Sequence, residues 1–198
     1  MKRREALKNL GFATGFIVAT PSIISLLQSC TSEASTWTPE FLSLEEGIVL
    51  TNLVDIMLPK TDIPSATEVN VPQFIDKYIN EVLDDESQAQ VKAAFGNIIS
   101  VLKPNAEDKI SKVTEDDYKA LLDNHMLIKD EVDSEREANP DSKDMTKSEF
   151  LNNLKWMTIN AYKTTQEIGE NVLAYDPIPG AYYCGDLQEL TGGKSWSL

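Results

Sequence analysis

Ser43-Leu44-Glu45-Glu46 and Thr146-Lys147-Ser148-Glu149 share one spacing, a hydroxyl residue followed three positions later by a glutamate. That spacing starts helices: the hydroxyl accepts from the third residue's N–H, and the carboxylate reaches back to the amide of the cap. Apolar residues then recur at helical intervals. Leu44, Ile48, Leu50, Leu53, Val54, Met57 and Leu58 follow the first signature, and Phe150, Leu151, Leu154, Met157, Ile159 and Tyr162 the second. Pro59 ends the first helix because its ring disfavours helical geometry in the residue before it. Pro59 to Pro72 reads as a loop, and Pro72 suits the first turn of a second helix, where a missing amide costs nothing. The expected buried stripe of that helix is Phe74, Ile75, Tyr78, Ile79, Val82 and Leu83. A third helix is expected from Ser87 to Leu102, with Val91, Phe95, Ile98, Ile99 and Leu102 inward. Thr114 caps a fourth carrying Tyr118, Leu121, Leu122, His125 and Met126. The expectation is an all-α fold, a single small helical domain of about five helices over residues 43–198.

The first thirty residues describe an address. Lys2, Arg3 and Arg4 form a positive cluster, Gly11 to Leu27 are a mostly apolar run of 17 residues, and Leu27-Gln28-Ser29-Cys30 closes it. A charged start, a short apolar stretch and a small residue at the cleavage point make a secretory signal. Thr14, Thr20, Pro21, Ser22 and Ser25 interrupt the run, whereas a stable membrane span needs about 20 strongly apolar residues, so an uncleaved anchor is the weaker reading. Arg3-Arg4-Glu5-Ala6-Leu7-Lys8 resembles a twin-arginine export signal, the class whose route carries folded proteins. Within it Arg3, Arg4, Leu7 and Lys8 are the candidate signal residues. Leu27-Gln28-Ser29-Cys30 resembles a lipoprotein signal-peptidase site, which implies a diacylglycerol on Cys30 as the first mature residue. Residues 1–29 are thus the expected signal, and residues 30–42, polar and without apolar periodicity, the lipid-attached tether.

Charge narrows the partners. The chain carries 18 Lys+Arg against 32 Asp+Glu, a net charge of −14. Removal of residues 1–29 takes away Lys2, Arg3, Arg4 and Lys8 but only Glu5, which leaves 169 residues at −17. So acidic a surface repels phosphate backbones and anionic lipid heads, which argues against nucleic acid as a partner. Length suits one domain with one core. A single His and the absence of any Cys-x-x-Cys argue against a zinc site. His125 lies beside an apolar stripe, where a packed or half-exposed histidine is the expected reading. With Cys30 assigned to lipid, Cys184 has no partner within the chain. Burial as a small hydrophobe is expected over pairing with another chain.

Asp130 to Asp144 is the most polar stretch, with Asp130, Glu131, Asp133, Glu135, Glu137, Asp141 and Asp144 outnumbering Lys143 and Arg136. It lacks the Gly and the ligand alternation of a calcium loop, so a solvated insertion or helix end is expected. From Ile168 onward Gly169, Pro177, Pro179, Gly180, Gly185, Gly192 and Gly193 break regular structure. Tyr175, Tyr182, Tyr183 and Trp196 offer large, partly polar surfaces. A 31-residue tail this aromatic is expected to be ordered, since disorder goes with few aromatics. It either wraps its own helices or forms part of a partner interface, where Tyr and Trp concentrate binding energy. Tyr162, Tyr175, Pro177, Pro179, Tyr182, Tyr183 and Trp196 are the candidate interface residues.

Motifs for chemistry are sparse. No Gly-x-Gly-x-x-Gly opens a strand and helix, no Gly-x-Ser-x-Gly elbow occurs, and no Cys-x-x-Cys-His attaches haem. Catalytic, cofactor-binding and metal-ligating residues are therefore expected to be none.

Two stretches bear a family resemblance. The first is Leu53-Val54-Asp55-Ile56-Met57-Leu58-Pro59-Lys60-Thr61-Asp62-Ile63-Pro64-Ser65-Ala66. The second is Ala161-Tyr162-Lys163-Thr164-Thr165-Gln166-Glu167-Ile168-Gly169 with Leu173-Ala174-Tyr175-Asp176-Pro177-Ile178-Pro179-Gly180-Ala181-Tyr182. They resemble the gluconate 2-dehydrogenase subunit 3 family, the small subunits of exported flavin-dependent sugar and polyol dehydrogenases. Ser65 and Ala161 stand where the family usually has Gly, and Cys184-Gly185 reverses its frequent Gly-Cys order. The resemblance implies a non-catalytic partner of a large flavoprotein that binds FAD, often with a haem-bearing cytochrome c subunit. It also implies that the small subunit supplies the export signal for both, so that the chain is an exported lipoprotein on the membrane, facing the periplasm or cell surface. The competing expectation is a stand-alone exported lipoprotein that binds a ligand or partner without any dehydrogenase.

Overall fold

The computed structural model describes residues 37–105, 107, 109–127, 131–176, 180 and 184–197. Arg3, Arg4, Leu7, Lys8 and Cys30, with the apolar run before Cys30, lie outside them. Five long helices carry the domain: α1 (Leu44–Met57), α2 (Val71–Val82), α3 (Asp85–Leu102), α4 (Glu115–His125) and, after the short α5 (Ser134–Ala138), α6 (Lys147–Thr164). A short α7 (Leu187–Thr191) follows, and single turns of 3-10 and π helix occupy Ile110–Lys112 and Glu167–Val172. The described residues form no strand, so the class is all-α. None of the described helices is long and apolar enough to cross a membrane.

The helices begin where their side chains can close them. Ser43, Thr114 and Thr146 form reciprocal capping boxes with Glu46, Asp117 and Glu149. Each such cap is worth about 1 kcal/mol. Asp84 accepts from the Ser87 amide at 2.8 Å, which starts α3 two residues before the expected Ser87. The Gln88 side chain then donates to the carbonyls of Ile79, Asn80 and Leu83, closing the end of α2.

Helix α6 packs against α1, α2, α3 and α4, and α1 against the same neighbours from the other side. Between them lie Val49, Leu50, Leu53 and Val54 of α1, Ile75 and Ile79 of α2, Ile98 of α3, Leu121 of α4, and Leu151 and Leu154 of α6. Phe95 and Phe150 meet edge to face at 4.9 Å and 70°. Full burial of each such side chain stabilises the fold by about 1.5–3 kcal/mol, so this centre, and no surface pair, holds the domain together. His125 is half-buried at the end of α4, as expected.

Three expectations about burial are corrected. Leu44 and Ile48 face outward, because Val49, Leu50, Leu53 and Val54 take the inner side of α1 together with Glu46. Phe74, Tyr78 and Val82 are also exposed, Phe74 at 53% and Val82 at 62%. The apolar stripe of α2 is wider than the surface that meets it: Val71, Ile75 and Ile79 fill the contact, and the flanking residues stay outside. Cys184 is exposed rather than packed as a small hydrophobe, since it sits among exposed Gly185 and Asp186, outside any regular element.

Arg136 and Lys147 organise the acidic stretch, Lys147 by pairing with Glu135. Arg136 of α5 donates from Nε and Nη2 to both carboxylate oxygens of Glu149, at 3.0 and 2.6 Å. Its remaining N–H groups hold the carbonyls of Ser142 and Asp144 at 2.6 and 3.0 Å. Glu131, Glu137, Asp141 and Asp144 face solvent, in keeping with a solvated helix end.

Candidate partner interface

The two stretches noted in the sequence meet in space. Loop 59–70 leaves α1, folds back through the Ala66 amide donating to the Leu58 carbonyl at 3.0 Å, and delivers the chain to α2. Thr67 Oγ1 donates to Asp55 at 2.6 Å, and the Ser65 amide donates to Glu68 at 3.0 Å. From the far end of α6, Tyr162 donates its hydroxyl to the Pro64 carbonyl at 2.5 Å. Tyr162 was expected at a partner surface; it is 7% exposed and braces the loop from within. Burial, with the nearby Glu68 carboxylate, raises its pKa, so the hydroxyl keeps the proton that it donates.

The loop and the π turn wall an open polar cleft of about 850 Å³, with Lys60, Asp62, Glu68 and Asn70 on one side and Gln166, Glu167 and Asn171 on the other. Lys60 pairs with Glu68 at 2.5 Å. The Lys60 ammonium and the Ser65 amide hold the Glu68 carboxyl below its ordinary range.

Where the cleft ends an apolar groove begins, since Asn70 leads into Phe74 and Thr165 follows Thr164. The groove holds about 270 Å³ and is lined by Phe74, Ile75 and Tyr78 of α2 and by Met157, Asn160, Ala161 and Thr164 of α6. Phe74 and Tyr78 stack with ring centres 6.4 Å apart and planes 16° from parallel, as residues one turn apart can. Trp156, 60% exposed, stands one turn before Asn160 on the same side of α6.

Charge marks this face as different from the rest. Residues 150–166 contain no Asp or Glu, in a chain with 32 of them. Asn153, Trp156, Met157, Asn160 and Thr164, which form the outward side of α6, carry no charge at all. An uncharged apolar centre beside a polar rim is the anatomy of a protein–protein contact, whose core is depleted of charged residues.

The tail is tied down at both ends. After the π turn, Ala174 and Trp196 form an isolated parallel bridge: the Ala174 amide donates to Ser195 at 2.9 Å, and the Ser197 amide to Ala174 at 2.8 Å. Gly169 is buried, and a methyl group there would stand 3.1 Å from Ser197 Oγ, so the close approach of the terminus uses the missing side chain. The bridge ties the two described ends of the tail to each other, while Tyr175 and Trp196, each 46% exposed, keep half their surface outward. Pro177, Pro179, Tyr182 and Tyr183 lie outside the described residues. Sequence reasoning missed Phe74, Tyr78, Trp156 and Met157 as surface residues. The acid-free run over 150–166 was the available signal for Trp156 and Met157, while nothing local marked Phe74 and Tyr78, whose exposure depends on how far α6 covers α2.

Residues 45–180, more than half of the chain, match the protein-family model described as gluconate 2-dehydrogenase subunit 3. No curated protein and no solved structure matches the chain.

Proposed function

The chain belongs to the gluconate 2-dehydrogenase subunit 3 family, and from that premise we propose that it is a non-catalytic small subunit docked on a larger flavin-dependent sugar or polyol dehydrogenase. One observation carries the reading: the groove between α2 and α6, with Phe74 and Tyr78 stacked on one wall and Met157 on the other, is lined by no charged side chain on a chain of net charge −14. A strongly acidic protein repels most macromolecules, so a partner binds best where no carboxylate faces it. The occupant is the flavoprotein subunit, which brings the FAD and the substrate site; a cytochrome c subunit extends the electron path where one is present.

The N-terminus supplies the second half of the role. Arg3 and Arg4 before the apolar run address the chain to a route for folded proteins, and Cys30 takes a lipid that holds the pair at the membrane. A cofactor-loaded flavoprotein without its own signal crosses only if it is already bound, so a preformed stable interface is required. Deletion of residues 1–29 tests this. The flavoprotein then accumulates in the cytoplasm; if it reaches its compartment normally, the escort role is wrong and a stand-alone lipoprotein is the better account.

A further inference from the structure

Asp76 is buried to 1% exposure on α2, and its carboxylate accepts from three successive backbone amides. The donors are Glu40 at 2.7 Å, Phe41 at 3.3 Å and Leu42 at 2.8 Å. Phe41 also lies under the Lys92 ammonium, 4.8 Å from its ring centre, and Lys92 pairs with Glu46 at 2.6 Å. The chain is therefore gripped where it enters the helical domain, by α2 from one side and by α3 and the α1 cap from the other.

Asp76 stands two residues from Phe74 and two from Tyr78. At 3.6 residues per turn that separation is about 200° around the helix, so Asp76 and the aromatic pair occupy opposite sides of α2. We infer that α2 is a two-sided adaptor: Asp76 fixes the incoming N-terminal segment on one side while Phe74 and Tyr78 hold the flavoprotein partner on the other, so that attachment and docking are engaged together without competing. The inference rests on the reading of the chain as a docking subunit. Its physical content is the independence of two contacts that share one helix. A carboxylate holding three amides makes that side rigid, because loss of the acceptor strands the buried Leu42 N–H and frees those of Glu40 and Phe41.

The test uses the full-length chain and the flavoprotein that co-purifies with it. Partner affinity is measured with the chain free in solution and with the chain immobilised through its N-terminal residue; the two values are expected to agree within about twofold. Limited proteolysis between residues 37 and 43 is then followed in D76A and, should that variant fail to fold, in D76N. Cleavage there should quicken about tenfold or more, with partner affinity unchanged and global melting shifted far less than local cleavage. F74A should do the reverse, weakening the partner about tenfold or more and leaving cleavage at 37–43 alone. A complex that forms but weakens about tenfold on immobilisation, or in D76N, overturns the two-sided arrangement and leaves the docking role standing. Failure to recover any flavoprotein overturns the docking role itself.

Discussion

The hydroxyl of Tyr162 donates to the carbonyl of Pro64, 98 residues earlier in the chain, at 2.5 Å. This bond joins the loop after α1 to the end of α6, and Pro64 in that loop lines the polar cleft. Y162F removes the donor and leaves the ring in place. It should cost about 1 kcal/mol, a fall in Tm of about 2–4 °C in a domain of this size, and should raise proteolysis within 59–66 first. An unchanged Tm would mean that the loop closes without the brace.

Tyr118 is fully buried, its hydroxyl meets no hydrogen-bond partner among the described residues, and burial pushes its pKa up to about 12. The folded state therefore holds this proton more tightly than the unfolded chain does. The stabilisation is complete below pH 10 and is lost as pH rises from 10 towards 12, at up to about 1.4 kcal/mol per pH unit. Y118F should raise stability at pH 7 by about 1 kcal/mol, since no unsatisfied hydroxyl is buried, and should flatten the alkaline loss. Denaturant unfolding of both proteins at pH 7 and pH 11 checks the pair of outcomes.

Glu46 behaves in the opposite sense. Burial alone raises its pKa, but the bond from Lys92 and those from Ser43 outweigh it and hold the carboxyl below the ordinary value of 4.5. A lowered folded pKa gives stability that is present above the unfolded value and lost as pH falls through the folded one. K92M should therefore reduce stability at pH 7 by about 1–3 kcal/mol and weaken the acid dependence below pH 4.5, as read from unfolding curves between pH 3 and 7. An acid profile identical to the native one would remove Glu46 from the account.

Arg136 spends its guanidinium on both oxygens of Glu149 and on the carbonyls of the acidic stretch. A lysine presents one ammonium and no planar fork, so R136K cannot hold carboxylate and carbonyls together. Proteolysis within 137–145 should quicken several-fold, while global stability falls by about 1 kcal/mol or less, because the pair is partly solvated. Equal loss in both measurements would make the stretch part of the core.

Helix starts were legible because their causes are local. Ser43, Thr114 and Thr146 each find their partner three residues on, and Pro59 and Pro72 act within one turn. The family, too, was readable from the two stretches around Pro59 and Tyr162. The inward face of α2 was less so. Periodicity showed an apolar stripe from Phe74 to Leu83, but not that α1 and α6 cover only the Ile75–Ile79 side of it. Asp76 drew no notice, because its partners at Glu40, Phe41 and Leu42 are more than thirty residues away. Tyr162 was misassigned for the same reason: an aromatic near an aromatic tail looks like surface until the 98-residue bond to Pro64 places it inside.

The central claim, that the open α2–α6 face binds a flavoprotein, is tested most directly by recovering the native protein in mild detergent and reading the flavin absorbance that elutes with it. The wild-type chain should carry about one flavin-bearing subunit per copy, and a variant with F74E and Y78E, on the open wall of the groove, should elute alone while keeping the wild-type helical content and a cooperative melt. A wild-type chain that elutes without flavin, or a double variant that retains its full share, would contradict the account.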